Sequence, residues 1–201
     1  IQDFGKAERG LAFLVMELLE GEDLGGLLGR ERVLSVAGAL HIVTQCCIAL
    51  GAAHAAGIVH RDLKPENIFL VTRGDDTHFV KIVDFGLAKI NDLDMDGEPG
   101  RKLTKTGMIF GTPQYMSPEQ CMGRPTDHRA DIYSLGLILY ELLTGRVPFD
   151  GDTCMGVLNQ HMCDPAPPMR AVNPSIQVPP LLEAVVYRCL DKKVANRPQS
   201  M

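Results

Sequence analysis

The sequence predicts a mainly helical α+β domain, and three observations support this prediction. Two short apolar segments, 68–71 and 79–83, flank the turn residues Arg73-Gly74-Asp75-Asp76, which is the pattern of a β-hairpin. Three longer segments have the apolar spacing or the length of helices. They are residues 35–57, 127–145 and 181–190. The chain has 201 residues, 45% of them apolar, and this length fits one domain with a buried core.

Each element has a local signal in the sequence. Residues 11–16 form an apolar run of strand length, and the polar residues that follow end it. The first long helix is expected to begin after Ser35, a candidate N-cap, and to stop at Gly57. Residues 127–145 are apolar on nearly every face, so this helix is expected to be buried. The proline-rich residues 165–180 are predicted to form a loop.

Composition excludes some function classes. The net charge of −5 disfavours nonspecific binding to nucleic acid, which needs a cationic face. The six cysteines form no C-x-x-C or zinc spacing, so we expect reduced thiols and a cytoplasmic location. No uninterrupted apolar run reaches the ~18 residues of a membrane span. A membrane span is therefore not expected within these residues, and any anchor would lie outside them.

Residues that suit phosphoryl transfer lie close together in the sequence. Asp62 can accept a hydrogen bond from a hydroxyl group, and Lys64 can place a positive charge beside the same phosphoryl group. Mg²⁺ accepts only a few protein oxygens and keeps several waters, so Asn67 and Asp84 suffice as its protein ligands. Because the transition state of this transfer is loose, positioned charges and acceptors can be enough for catalysis.

The order of the motifs resembles the protein kinase family. His60-Arg61-Asp62 with Asn67 matches the catalytic loop H-R-D-x-x-x-x-N, and Asp84-Phe85-Gly86 matches the D-F-G metal loop. Downstream, Gly111 to Glu119 resembles the segment on which the family docks its substrates, with Ser117 where Ala is usual. A second Asp-Phe-Gly, at residues 3–5, follows no catalytic loop and is discounted.

The resemblance implies a kinase-like fold divided at a hinge. Residues 1–16 would end the small lobe, residues 17–23 would form the hinge, and residues 24–201 would form the large lobe. The activation segment would span residues 84–119. Supporting roles fall on residues that hold the loops in place. They are His60, Phe85, Gly86, Glu119, Asp131 and Arg197, with Glu119 expected to pair with Arg197 and Asp131 to bind the catalytic loop.

The same resemblance implies ATP and Mg²⁺ as cofactors. The backbone of Glu17 and Leu19 would bind adenine, and Asp23 would reach the ribose, although Asp23 also suits an exposed loop. The phosphates and the metal would be held by Lys64, Asn67 and Asp84.

The expected substrates are serine and threonine hydroxyls of proteins. Lys64 follows the catalytic aspartate by two positions, as in the serine/threonine branch, and Thr112 is expected to hydrogen-bond Asp62 and Lys64. The residues of the downstream motifs are similar to those of bacterial kinases of the eukaryotic-like group.

Regulation is expected in the activation segment. Thr104 and Thr106 lie where the family places activating phosphorylation, and Arg61 with Lys89 could bind that phosphate. If one copy modifies another, a homodimer is the expected partner. Residues 92–97 resemble the start of a calcium-binding loop, but Leu103 replaces the final glutamate, so a solvated acidic loop is the better interpretation.

A Gly-rich loop and a strand lysine, which complete the family's ATP site, have no match in these residues. We therefore expect a fragment that has little activity by itself. The alternative is a pseudokinase or scaffold that binds nucleotide or partner proteins without catalysis. The residues upstream of Ile1 would distinguish the two, because a missing strand lysine would favour the scaffold.

Overall fold

The computed structural model describes residues 3–6, 12–85 and 112–201. Two antiparallel sheets occupy the first half of the chain. Strands β1 (Asp3–Lys6) and β2 (Ala12–Val15) form a two-stranded sheet. Strands β3 (Gly21–Asp23), β4 (Ile68–Arg73) and β5 (Asp76–Ile82) form the second sheet in that order.

The β4–β5 hairpin is the one predicted from the sequence. Ile68 pairs with Ile82 and Leu70 pairs with Val80, and the buried side chains of this hairpin face the core. The turn contains Gly74 at φ 62°, a left-handed conformation that glycine adopts without steric cost. The hairpin matters because β4 begins where the catalytic loop ends, and β5 leads directly to Asp84.

The first two helices follow the strand β3. Helix α1 (Leu24–Glu31) begins at Asp23, whose carboxylate accepts a hydrogen bond from the N–H of Gly26. Helix α2 (Val36–Ala55) begins at Ser35, whose hydroxyl accepts a hydrogen bond from the N–H of Gly38. The predicted start of α2 is therefore confirmed, whereas α1 was not predicted.

The central helix α4 (Arg129–Thr144) is buried along almost its whole length, as predicted. It ends at Gly145, which takes the left-handed conformation at φ 79° and returns its N–H to the carbonyl of Glu141. Helix α2 packs on both the central helix α4 and strand β5, and these elements contribute to one apolar core. Its fully buried members include Ile42, Leu50, Leu63, Ile68, Leu137, Ile138, Tyr140 and Leu142.

Short helices complete the C-terminal half. They are α3 (Pro118–Cys121), α5 (Cys154–Cys163), α6 (Met169–Val172) and α7 (Pro180–Cys189). Helix α7 matches the predicted segment 181–190 to within one residue. The predicted loop 165–180 is interrupted by α6, because the apolar Met169 in the proline-rich stretch is fully buried in the core. The described elements form a mainly helical α+β fold, as expected.

Helix α2 is long and apolar enough to cross a membrane by its length and composition. A core helix of a globular domain satisfies the same test. Here one face of α2 is buried against the core through Ala39, Ile42, Val43, Cys46 and Leu50. Length and composition are therefore weak evidence for a membrane span, and the absence of one stays a prediction.

Candidate active site

The catalytic loop, residues 60–67, is fastened to the central helix by one carboxylate. Asp131 is fully buried and accepts hydrogen bonds from the backbone N–H groups of His60 at 2.9 Å and Arg61 at 2.8 Å. Its Oδ2 atom also lies 2.8 Å from Nε2 of His54 on α2. The first turn of α4 therefore fixes the backbone at the start of the loop, which is the contact that the family resemblance implies.

Asp62 and Lys64 lie side by side at the surface of this loop. Nζ of Lys64 is 3.3 Å from Oδ2 of Asp62, and about two fifths of the Asp62 side chain is exposed. The residue before them, Arg61, has a positive φ of 68°, a conformation that is rare for a residue with a side chain. An exposed carboxylate beside an ammonium group suits a hydroxyl acceptor paired with a phosphate-binding cation.

Asn67 connects the catalytic loop to the metal loop. Its Nδ2 atom donates a hydrogen bond to the backbone carbonyl of Asp62 at 2.8 Å. Its own backbone carbonyl accepts a hydrogen bond from the N–H of Val83 at 2.9 Å, one residue before Asp84. Asp84 is exposed and has a positive φ of 61°. The two predicted metal ligands are therefore brought to the same end of the β4–β5 hairpin.

The donor set fits Mg²⁺. Because the amide nitrogen of Asn67 is used by the loop backbone, its oxygen is the atom left to accept a cation. The second donor is the exposed carboxylate of Asp84. Within residues 3–6, 12–85 and 112–201 there is no cluster of three or more His, Cys, Asp or Glu side chains that could hold a metal. A cation that takes only two protein oxygens and fills its other positions with water and phosphate fits this arrangement.

His60 contacts the metal loop and holds it in place. Its ring is fully buried, and Nε2 lies 2.8 Å from the carbonyl oxygen of Val83. The ring also packs against Phe85, with 4.9 Å between the ring centroids. His60 thus contacts the residues on both sides of Asp84, which is a structural role and not proton transfer.

Glu119 anchors the end of the docking segment to the far end of the chain. It is nearly buried, and Arg197 donates two hydrogen bonds to its carboxylate at 2.8 Å each. Further up the segment, Ser134 of α4 donates a hydrogen bond to the carbonyl of Tyr115 at 2.8 Å, and the Tyr115 hydroxyl donates to Glu141. The central helix therefore holds both the catalytic loop and the docking segment.

The expected contact of Thr112 is not made. Within the described residues its hydroxyl makes no hydrogen bond to Asp62 or Lys64, and Lys64 instead pairs directly with Asp62. Thr112 has an extended backbone and precedes the short turn Pro113–Tyr115. The structure does not contain this hydrogen bond, and the role expected of Thr112 stays a prediction.

The predicted hinge residues have other partners in this structure. The carboxylate of Glu17 pairs with Nζ of Lys81 on β5 at 2.6 Å, which fastens the segment after β2 to the strand that leads to Asp84. Asp23 is only partly exposed, and one of its carboxylate oxygens is used as the cap of α1. Leu19 is also partly exposed, between these two contacts. Residues 17–23 are thus joined to β5 and to α1, and their role as a hinge stays a prediction.

Four of the predicted residues lie outside the described part of the chain. They are Gly86, Lys89, Thr104 and Thr106. Arg61, which was expected to bind a phosphate on Thr104 or Thr106, is described, and its Nε atom is buried without a hydrogen-bond partner among the described residues.

A buried polar network beside the docking segment was not predicted. The hydroxyl of Tyr133 lies 3.0 Å from Nδ1 of His161 and accepts a hydrogen bond from Nζ of Lys192 at 3.3 Å. Lys192 also lies over the ring of Phe149, 4.0 Å from its centroid. Tyr133 was the one local signal, because a buried tyrosine hydroxyl needs a hydrogen-bond partner, but the sequence does not indicate which residues supply it.

Comparisons with known proteins agree with this geometry. The family model described as protein kinase domain matches residues 3–201. Serine/threonine-protein kinase pkn3 of Myxococcus xanthus is 44% identical over 200 residues, which is 100% of this chain and 36% of that protein. Pkn1 of the same organism is 46% identical over 185 residues, covering 92% of this chain and 25% of that kinase.

A third relative, serine/threonine-protein kinase PknB of Mycolicibacterium smegmatis, is 39% identical over 204 residues, covering 100% of this chain and 31% of that protein. The chain thus spans between a quarter and about a third of the length of these three relatives. The family match and the identities also agree with the resemblance to bacterial serine/threonine kinases that the motifs indicate. The chain belongs to the protein kinase domain family.

Proposed function

We propose that the protein containing this chain transfers the γ-phosphoryl group of ATP to serine and threonine hydroxyls of other proteins. The observation that carries the proposal is the loop that presents Asp62, Lys64 and Asn67. Asp131 holds the start of this loop, and Asp84 is joined to it through the Val83–Asn67 hydrogen bond. The relatives named as serine/threonine-protein kinases support the same assignment.

The exposed side chains of this loop have complementary tasks. Asp62 accepts a hydrogen bond from the substrate hydroxyl and directs its oxygen at the phosphorus atom. Lys64, which is 3.3 Å from the same carboxylate, donates to the phosphoryl oxygens as negative charge is redistributed. Because the ammonium group of Lys64 and the carboxylate of Asp62 have opposite charges, they attract each other and hold both side chains in place before the substrates bind.

Asn67 and Asp84 would hold Mg²⁺, which would supply positive charge against the negative charge of the phosphates. The amide of Asn67 is oriented before binding, because its nitrogen is held by the carbonyl of Asp62. The backbone of Glu17 and Leu19 would bind the adenine of ATP, and the carboxylate oxygen of Asp23 that does not cap α1 would face the ribose.

The central test is phosphate transfer from radiolabelled ATP to a generic protein substrate by the natural full-length protein. Asp62→Asn keeps the size of the side chain and removes its charge, so we expect at least a roughly 100-fold loss of rate. The matched control is Asp75→Asn, an exposed carboxylate in the β4–β5 turn, which should leave the rate unchanged.

Equal transfer by the native protein and the Asp62→Asn variant would refute the assignment of Asp62. No transfer by the native protein, together with measurable nucleotide binding, would instead favour the pseudokinase or scaffold. These two outcomes are distinct, so one set of proteins decides between catalysis and binding.

We propose that phosphorylation of Thr104 or Thr106 controls this activity, with one copy modifying another. The supporting observation is Arg61 of the catalytic loop, whose Nε atom is buried and lacks a hydrogen-bond partner among the described residues. A phosphate would offer this guanidinium charge-assisted hydrogen bonds. Mass spectrometry of the full-length protein after incubation with ATP should find phosphate on one of these threonines, and its absence from both would contradict the proposal.

We also propose that the reaction takes place in the cytoplasm. All six cysteines are free thiols, and burial raises the pKa of the Cys46 thiol to about 12, so this thiol stays protonated and unreactive. Cell fractionation with an antibody against the protein tests the location, and recovery of the catalytic domain outside the cell would contradict it.

A further inference from the structure

Gln120, the residue that follows the docking segment, touches the catalytic loop. Its Nε2 atom donates a hydrogen bond of 2.6 Å to the backbone carbonyl of Arg61. In the described part of the chain this is the one hydrogen bond that joins residues 112–121 to the loop 60–67. No local pattern in the sequence selects Gln120, because its partner is 59 positions away.

The orientation of the Gln120 amide is fixed by Ser117. Oε1 of Gln120 accepts hydrogen bonds from both the backbone N–H and the hydroxyl of Ser117, each at 3.0 Å. If the amide turned over, its NH₂ group would face the N–H of Ser117, and Oε1 would face the carbonyl of Arg61. Two contacts would then become repulsive, so only the observed orientation satisfies all the donors. Ser117 is fully buried, and it stands where the family usually has Ala.

The carbonyl that Gln120 binds belongs to the peptide bond between Arg61 and Asp62. Arg61 has a left-handed φ of 68°, and a non-glycine residue keeps such a conformation only where its surroundings enforce it. Asp131 holds the N–H of Arg61 at 2.8 Å, and Gln120 holds its C=O at 2.6 Å. The two hydrogen bonds act on opposite sides of the strained residue, and the second one fixes the peptide plane from which Asp62 projects.

We propose that Gln120 is a positioning residue for phosphoryl transfer, which acts through the Arg61–Asp62 peptide bond and is itself oriented by Ser117. The inference rests on the proposed kinase function. It assigns a direct link between the docking segment, which receives the protein substrate, and the carboxylate that orients the substrate hydroxyl. Gln120 does not touch the reacting atoms, so its effect should fall on the rate of transfer and not on ATP binding.

The test uses the natural full-length protein with Gln120→Met, which keeps the length of the side chain and removes its donor and acceptor. A small displacement of a catalytic group can reduce the rate by roughly 100-fold, so we expect kcat to fall between about 10-fold and 100-fold. The KM for ATP should stay within about twofold, since the hinge contacts are untouched. Ser117→Ala keeps the backbone N–H donor and should reduce kcat less, by roughly 2-fold to 10-fold.

Gln45→Met is the matched control. Gln45 also bonds two backbone groups, the carbonyl of His78 and the N–H of Val80, both at 3.0 Å, but it lies on α2 away from the catalytic loop. It should lower stability as much as Gln120→Met does and leave kcat within about twofold. An equal fall of kcat in both variants, or an unchanged kcat in Gln120→Met, would overturn the proposal.

Hydrogen exchange provides a measurement that does not depend on activity. In Gln120→Met the amides of residues 60–67 should exchange faster, whereas in Gln45→Met they should exchange as in the native protein. Unchanged exchange in Gln120→Met overturns the positioning role even if the protein proves to be a scaffold. The two proposals can also fail separately. If the native protein shows no transfer that depends on Asp62, the kinase function is refuted. If residues 60–67 nevertheless exchange faster in Gln120→Met only, the structural link between Gln120 and the catalytic loop still holds.

Discussion

Arg197 and Glu119 form a buried ion pair across 78 positions of the chain. The guanidinium of Arg197 has no solvent exposure, and it also donates to the carbonyls of Asp191 and Arg129. Its plane lies over the ring of Tyr133, 4.8 Å from the centroid. Burial by itself would raise the pKa of Glu119, but the hydrogen bonds and charge of Arg197 outweigh it and lower that pKa. The pair therefore locks the docking segment to the residues after α7.

Replacing Arg197 should be strongly destabilising. In Arg197→Met the carboxylate of Glu119 stays buried without its partner, and breaking a buried pair in this way costs about 3–5 kcal/mol. Urea unfolding followed by circular dichroism measures this change. Arg30→Met is the control, because Arg30 and Glu22 form an exposed pair of the kind that contributes at most about 1 kcal/mol. Similar losses in the two variants would contradict the assigned importance of Arg197.

His161 should make the fold sensitive to acid. Burial, together with the nearby charge of Lys192, lowers the pKa of His161 from 6.5 to about 4 against the opposing effect of the Pro113 and Gln114 carbonyls. Between pH 6.5 and about 4, His161 therefore binds a proton in the unfolded chain but not in the folded protein. The contribution of this group to stability is fully present above pH 6.5 and is lost progressively as the pH falls towards 4.

The expected loss between pH 7 and pH 5 is about 2 kcal/mol from this histidine alone. Urea unfolding at the two pH values tests it, with His161→Gln and His41→Gln as a pair. The first variant should lose this part of the pH dependence, and the second, an exposed histidine on α2, should keep it. If both variants keep the full dependence, another group is responsible.

Asp84→Asn should weaken the response to Mg²⁺ without unfolding the metal loop. Asp84 has a φ of 61°, and asparagine tolerates this left-handed conformation as well as aspartate does. Asp84→Asn removes the negative charge of a metal ligand. Substitutions of residues that only contact a metal ligand reduce metal affinity by roughly 10- to 100-fold, so we expect at least this loss of apparent Mg²⁺ affinity. Titration of phosphate transfer with Mg²⁺ measures the effect, with Asp75→Asn as the control. An unchanged Mg²⁺ midpoint would remove Asp84 from the metal site.

The sequence was most informative where a function depends on neighbouring residues. Asp62, Lys64 and Asn67 fall in one loop, so their proximity follows from the chain itself. The hairpin that brings Asp84 beside Asn67 was also predicted, because alternating apolar strands and a glycine turn are local signals.

Contacts between distant segments could not be predicted in this way. His161 and Tyr133 are 28 positions apart, and no spacing rule indicates that their side chains meet. Helix α1 was missed because Gly25, Gly26 and Gly29 are poor helix formers. Tertiary packing overrides that propensity, since Leu24 and Leu27 are buried and Asp23 caps the first turn.

Two glycines in helices should respond in opposite ways to alanine. A Cβ atom at Gly136, in the centre of α4, would lie 2.7 Å from Cβ of Cys189 and 3.2 Å from a methyl carbon of Leu190. Both neighbours belong to the end of α7, which packs directly on the central helix. Because neither can withdraw without moving that helix end, Gly136→Ala should destabilise the fold by about 1–3 kcal/mol.

Gly29 on α1 gives the contrasting case, since a Cβ atom there would have no heavy atom within 4 Å. Gly29→Ala should therefore stabilise the protein by about 0.5–1 kcal/mol, because alanine loses less conformational freedom than glycine on entering a helix. Thermal melting of the two variants against the native protein measures both signs. A Gly136→Ala protein that melts at or above the native temperature would show that α4 and α7 do not pack as closely as these distances require.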